Sequence, residues 1–182
     1  MKFVRTPLDG AYIIELEKIE DDRGFFSRLY CSNEFSSVNL NNHFVQVNNS
    51  LSKNKGTLRG IHYQMNPMAE SKLVRCISGG LYDVIIDLRA NSKTYKHWFA
   101  VTLTNENRKM IFVPEGFGHA FLTLEDNTEA IYFVSQYYSP KHESGLIWND
   151  KEIGIQWPIK PLFISDKDKS NPSFDSSIHK LK

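Results

Sequence analysis

Two histidines stand in contrasting settings along this chain. His62 lies within Arg59-Gly60-Ile61-His62-Tyr63-Gln64, and His119 within Pro114-Glu115-Gly116-Phe117-Gly118-His119-Ala120-Phe121. Lys72, Arg75, Asp83 and Asp87 fall between them. A base beside a fixed cation can take a proton from a carbon next to a carbonyl and shelter the resulting oxyanion, with no cofactor. An ordinary imidazole, with a pKa of about 6.5, is suited to be that base at cellular pH. The bland reading of His62 is a hydrogen-bonded structural histidine, and the polar groups around it (Arg59, Gln64, Glu70, Lys72) weigh against that. Lys72, among apolar neighbours in Ser71-Lys72-Leu73-Val74, suits the fixed charge. Tyr132 reads first as a core aromatic whose hydroxyl would need a partner if buried.

A metal is the main competing chemistry. Pro114-Glu115-Gly116-Phe117-Gly118-His119 matches Pro-x-Gly-x-x-His, the second half of the cupin metal signature. The first half wants His-x-His and then a glutamate, but this chain has His62-Tyr63-Gln64. Two imidazoles and an amide oxygen make a poor ligand set for zinc or iron. No metal and no other cofactor is expected. The alternative for Pro114 to Gly118 is simply a tight turn.

The elements that must position these residues are short strands. Candidate runs are Ala11 to Leu16, Lys72 to Ile77, Leu81 to Leu88, Trp98 to Leu103, Met110 to Val113 and Ala130 to Val134. Alternation in Leu81 to Leu88 puts Asp83 and Asp87 on one face, and Lys72 and Arg75 on opposite faces of their own strand. Turn signals at Ser78-Gly79-Gly80, Asn105-Glu106-Asn107, Pro114-Glu115-Gly116 and Glu125-Asp126-Asn127 separate the runs. This spacing predicts an all-β sandwich or jelly-roll barrel. One short helix is expected over Asn33 to Val38, capped by Ser32 or Asn33. From Ser165 onward the chain is polar with scattered prolines and reads as a surface-hugging tail.

With 182 residues, 41% hydrophobic, and no repeat or linker, a single domain over 1–182 is expected. A net charge of +1 gives no global field for nucleic acid or an acidic membrane. Cys31 and Cys76 form neither a disulfide framework nor a zinc motif, and both read as small buried residues. No run approaches the roughly 20 apolar residues of a membrane helix. Arg5, Asp9 and Glu15 interrupt any signal-like segment, so a soluble cytoplasmic protein is expected.

Taken together, several segments resemble the dTDP-4-dehydrorhamnose 3,5-epimerases. They are Asp22-Arg23-Gly24-Phe25-Phe26, Gly56 to Gln64, Lys72-Leu73-Val74-Arg75, Asp83 to Arg89, Pro114 to Phe121, Trp148-Asn149-Asp150 and Gly154-Ile155-Gln156-Trp157-Pro158. The match runs in order over almost the whole chain. The resemblance implies a cupin-type jelly roll, a homodimer and metal-free epimerisation of a nucleotide-linked 4-keto-6-deoxy sugar in deoxysugar biosynthesis. It also implies roles by position: His62 as base, Asp168 orienting its ring, Lys72 facing the enolate oxygen and Tyr132 as acid. Arg23, Gln46, Asn48, Arg59, His119, Glu143 and Lys167 would hold substrate. Phe26 and Tyr138 would sandwich the nucleotide base.

Two departures stand out. Arg28 follows Phe26-Ser27 where the resemblance leads one to expect a glutamate at a nucleoside contact, and Ala120 stands where glycine is common. An arginine cannot accept a hydrogen bond but pairs well with guanine, so GDP- or CDP-linked keto sugars stay open beside dTDP. A nucleotide-sugar 3,4-ketoisomerase on the same barrel is the other open alternative. Whether C3, C5 or both are inverted depends on substrate pose, which residue types do not specify.

Overall fold

The computed structural model describes residues 1–41 and 43–181. Two antiparallel sheets face each other. In order across the first are β1 (Lys2–Arg5), β2 (Tyr12–Glu15), β10 (Met110–Val113), β7 (Lys72–Ser78), β12 (Thr128–Val134) and β5 (Gln46–Ser52). Across the second are β13 (Glu143–Gly145), β6 (Thr57–Gln64), β11 (Phe117–Thr123), β8 (Gly80–Asp87) and β9 (Trp98–Thr104), with β14 (Phe163–Ile164) added parallel to β6. From β5 onward the chain crosses between sheets at nearly every connection, the winding of a cupin-type jelly roll. A hairpin of β3 (Lys18–Asp21) and β4 (Gly24–Ser27) stands apart as its own two-stranded sheet. No helix among the described residues is long and apolar enough to cross a membrane.

Period-two alternation explains how the sheets pack. Val74, Cys76, Leu81, Ile85, Leu103, Ile111, Phe117 and Ala130 point between them and form the central core. Their strand neighbours point outward. Leu73, Met110 and Phe112 meet α1 (Ser32–Ser37) through Phe35, and Ile61, Tyr63, Ile86 and Leu88 meet the C-terminal segment through Leu146, Ile153 and Trp157. Burying each such aliphatic or aromatic side chain stabilises the fold by about 1.5–3 kcal/mol.

Three expectations need correction. The α1 N-cap is Cys31, not Ser32 or Asn33, and it makes no side-chain cap. Cys31 is only partly buried, whereas Cys76 is fully so. The segment after Ser165 is not a surface tail: it opens with a second helix, α2 (Asp166–Lys169), and later buries His179 completely. The His179 ring contacts the Gly145 carbonyl through Nε2 at 3.1 Å, and its Nδ1 accepts from the Asp175 N–H at 3.0 Å. Buried polar partners of this kind anchor a segment that lacks a long apolar run.

Candidate active site

His62 and His119 are direct register partners on β6 and β11. Strict alternation would send Arg59 and His62 to opposite faces of β6. Both nevertheless line the same cavity, because the register between β6 and β11 shifts between His119 and Phe121. Gly60 lies inside that irregularity with a φ of +119°. A Cβ there would sit 2.6 Å from both the Ala120 Cβ and the His119 carbonyl oxygen, so only glycine fits.

The partner of His62 arrives from far along the chain. Strand β14 pairs with the start of β6 and delivers α2 beside it. Ser165 caps α2 by accepting from the Asp168 N–H at 3.1 Å. This turns the nearly buried Asp168 carboxylate onto His62, with Nε2 to Oδ1 at 2.7 Å, while Oδ2 accepts from the Gly60 N–H at 3.1 Å. Burial pushes the Asp168 carboxyl upward, but the His62 hydrogen bond and charge, the Gly60 N–H and Ser165 outweigh it and hold the group below the ordinary carboxylate range. Asp168 is therefore an ionised acceptor at neutral pH. Its acceptance fixes the proton of a neutral His62 on Nε2 and leaves the Nδ1 lone pair free to take another.

A second pair lies alongside. His119 Nε2 is 3.0 Å from each Asp83 oxygen, and both groups are buried. Asp83 and Asp87 do share the inner face of β8, but Asp87 is engaged elsewhere, with Arg89, Ser92 and Thr94.

The facing sheet contributes the complementary chemistry. Lys72 and Tyr132 line the cavity opposite the histidines, and Gln46 and Asn48 follow from β5 in register with Val134 and Tyr132. Lys72 points inward while Arg75 lies on the other face, as expected for positions three apart in a strand. Burial is the main cause that pushes the Tyr132 phenol upward. The Glu70 carboxylate adds to it and Arg59 opposes it, so the hydroxyl stays protonated at neutral pH. The space divides into two arms that share His62, Lys72 and Tyr132, one of ≈ 630 Å³ and one of ≈ 360 Å³. In the smaller arm the Tyr138 hydroxyl donates to Glu143 Oε2 at 2.7 Å, and Lys167 Nζ donates to the same oxygen at 2.6 Å. Arg59 donates to Ser52 Oγ and to the Leu51 carbonyl at the edge of the larger arm.

Three of the anticipated residues lie elsewhere. Arg23 is 89% exposed and paired with Asp21, and Phe26 on β4 is 67% exposed. Arg28 pairs with Glu34 at 2.7 Å, away from both arms. Gln64, standing where a metal ligand would stand, uses its amide otherwise: it donates to the Met68 and Tyr137 carbonyls and accepts from the Ser139 N–H. Among the described residues no three His, Cys, Asp or Glu side chains are grouped to hold a metal ion.

Sequence reasoning did not find Asp83 as the partner of His119, nor Glu70 as the partner of Lys72 at 3.1 Å. It also overlooked Ser165, although Ser165-x-x-Asp168 is a readable helix-start pattern.

A jelly roll whose cleft sets a carboxylate-backed imidazole against an ammonium and a phenol belongs to the cupin-type enzymes equipped for acid–base chemistry. The comparisons make this specific. The family model described as dTDP-4-dehydrorhamnose 3,5-epimerase matches residues 5–176, and the chain belongs to that family of isomerases. It is 40% identical to the dTDP-4-dehydrorhamnose 3,5-epimerase of Shigella flexneri over 175 residues, 96% of each chain. Against the Methanothermobacter thermautotrophicus enzyme it is 44% identical over 172 residues, 93% of this chain and 92% of that one. The Bacillus anthracis enzyme, solved with TDP and PPi bound, superposes with a TM-score of 0.91 at 42% identity, covering 95% of this chain and 99% of the other. A Legionella pneumophila epimerase in complex with dTDP-4-keto-L-rhamnose gives 0.91 at 31% identity, covering 100% and 98%.

Proposed function

We propose that this chain, acting as one domain over 1–182, converts dTDP-4-dehydro-6-deoxyglucose to dTDP-4-dehydrorhamnose by inverting C3 and C5. The relatives' names and the bound nucleotides of the solved structures support the dTDP-linked substrate. Arg28 gives no reason to prefer guanine, since its guanidinium is occupied by Glu34. One observation carries the chemistry: the His62–Asp168 pair, held by β6 and α2, faces Tyr132 and Lys72 of the opposite sheet across a shared cavity.

The C4 carbonyl acidifies the C–H bonds at C3 and C5. His62 takes a proton from one carbon, the electron pair moves onto the C4 oxygen, and the Lys72 ammonium stabilises that enolate. Preorganised donors of this kind contribute about 2.7–4 kcal/mol each. Tyr132, on the far side of the ring, delivers a proton to the opposite face, and the carbonyl re-forms with inverted configuration. His62 then gives its proton to solvent and the Tyr132 phenolate regains one, so no redox partner is needed. Arg59 and Lys167 suit the diphosphate, while Tyr138 offers a ring to the base. Gln46, Asn48, His119 and Glu143 complete the substrate contacts.

The working unit in this reading is a homodimer. Arg23 and Phe26 sit on the β3–β4 hairpin, which forms a sheet of its own and lines neither arm of the cleft, so in this reading they serve a substrate in the cleft of a second copy. Deuterium incorporation from solvent tests the chemistry. His62→Ala should abolish exchange at C3 and C5 of dTDP-4-keto-6-deoxyglucose, and exchange at the wild-type rate would show that His62 is not the base.

A further inference from the structure

We propose that Glu70 is a positioning residue that aims Lys72 at the reacting carbonyl. The inference rests on the reading of Lys72 and Tyr132 given above. Glu70 lies in the connection between β6 and β7 and lines the smaller arm of the cleft. Its Oε1 lies 3.1 Å from Lys72 Nζ, and the two side chains are only 12% and 13% exposed. A flexible four-carbon stem in a cavity has many orientations, and an anchored carboxylate at one end restricts where the ammonium points. Most exposed ion pairs contribute little because solvent screens them and the chains are free, but this pair is neither exposed nor free.

The other charged groups around the cleft leave this task to Glu70. The Asp168 and Asp83 carboxylates back His62 and His119, and Glu143 is shared by Lys167 and Tyr138. Arg59 is the cation whose charge favours Tyr132 ionisation, and Glu70 is the carboxylate that disfavours it. Lys72 and Glu70 together are close to neutral before reaction, so the ammonium becomes an effective partner for the enolate only where its geometry is held.

Glu70→Gln keeps the shape and removes the charge. Its kcat should fall about tenfold or more, since misplacement of a polarising group on this scale is costly, while KM for the nucleotide sugar stays near wild type. The basic limb of its pH–rate profile should move to lower pH, because the phenol loses the anion that opposes its ionisation. Glu70→Asp, which retains the charge, should return that limb toward the wild-type position. A merely structural Glu70 would leave the limb in place, and an unmoved limb in Glu70→Gln, or a change confined to KM, overturns the proposal. Lys72→Ala and Tyr132→Phe are run in parallel. If Lys72→Ala slows turnover and Tyr132→Phe removes the basic limb while Glu70→Gln has a wild-type profile, only the role of Glu70 fails; if either of them behaves like wild type, the reading of Lys72 or Tyr132 fails.

Discussion

The geometry around His62 divides the work among side chains that chemistry alone would not rank. Asp168 accepts from Nε2 and so determines which nitrogen remains basic. Asp168→Asn removes the negative charge and can present an N–H where an acceptor was needed. Exchange at C3 and C5 should slow by about 10²-fold or more, the range associated with general acid–base groups, and the wild-type and variant rates of deuterium uptake measure it. In the mechanism proposed above Tyr132→Phe leaves the base, His62, untouched, so deuterium exchange should persist while inversion drops sharply. Equal loss of both in mass spectrometry and product analysis would mean that Tyr132 and His62 do not have separate roles.

Secondary-structure elements convert those side chains into a site. Helix α2 is only four residues long, and its start depends on Ser165. Losing such a cap costs about 1 kcal/mol. Ser165→Ala should therefore lower stability by about that amount in denaturant unfolding and also reduce the exchange rate, because Asp168 loses its anchor. Threonine at the same position should recover both. The kink in β6 is more severe: Gly60→Ala forces a methyl group into Ala120 and the His119 carbonyl at a φ that L residues avoid. Overpacking of this type costs about 1–3 kcal/mol, visible as a lower Tm, and it should also disrupt the shared placement of Arg59 and His62.

Across the molecule, the buried carboxylate of Asp87 at the end of β8 accepts from Arg89, Ser92 and Thr94. Burial raises its carboxyl, but those hydrogen bonds outweigh it and hold the group below its ordinary range. A depressed pKa gives stability that is fully present above the unfolded value of about 3.9 and disappears as pH falls through the folded value. Asp87→Asn should thus unfold more easily at pH 7, with a deficit that shrinks below about pH 4; a deficit independent of pH would exclude this linkage. Assembly has its own test. If the working unit is the homodimer proposed above, mixing His62→Ala chains with Arg23→Ala chains should restore activity, because an Arg23→Ala protomer would keep its own His62 and borrow the hairpin of its partner. No recovery on mixing would mean that each cleft relies on its own hairpin.

Much of the architecture can be read from local pattern. Alternation in Leu81 to Leu88 correctly places Asp83 and Asp87 on one face, and the run Met110 to Val113 coincides with β10. Pattern works there because a residue's face in a regular strand depends only on its parity. It fails at Arg59 and His62, where a register shift undoes parity; it missed β1, β3, β4, β13 and β14, which are four residues or shorter, and β5, β6 and β11, whose apolar and polar residues do not alternate cleanly. Motif order across the chain was enough to single out His62, Lys72, Tyr132 and Asp168, and the cleft gathers all four. The resemblance already implied that Asp168, 106 residues from His62, backs its ring, and the structure shows that contact; only the tertiary structure decided that Glu70 rather than solvent faces Lys72, and that Arg23, Phe26 and Arg28 leave their own cleft. Such contacts follow from how sheets pack and where loops return, and no short window of sequence encodes that.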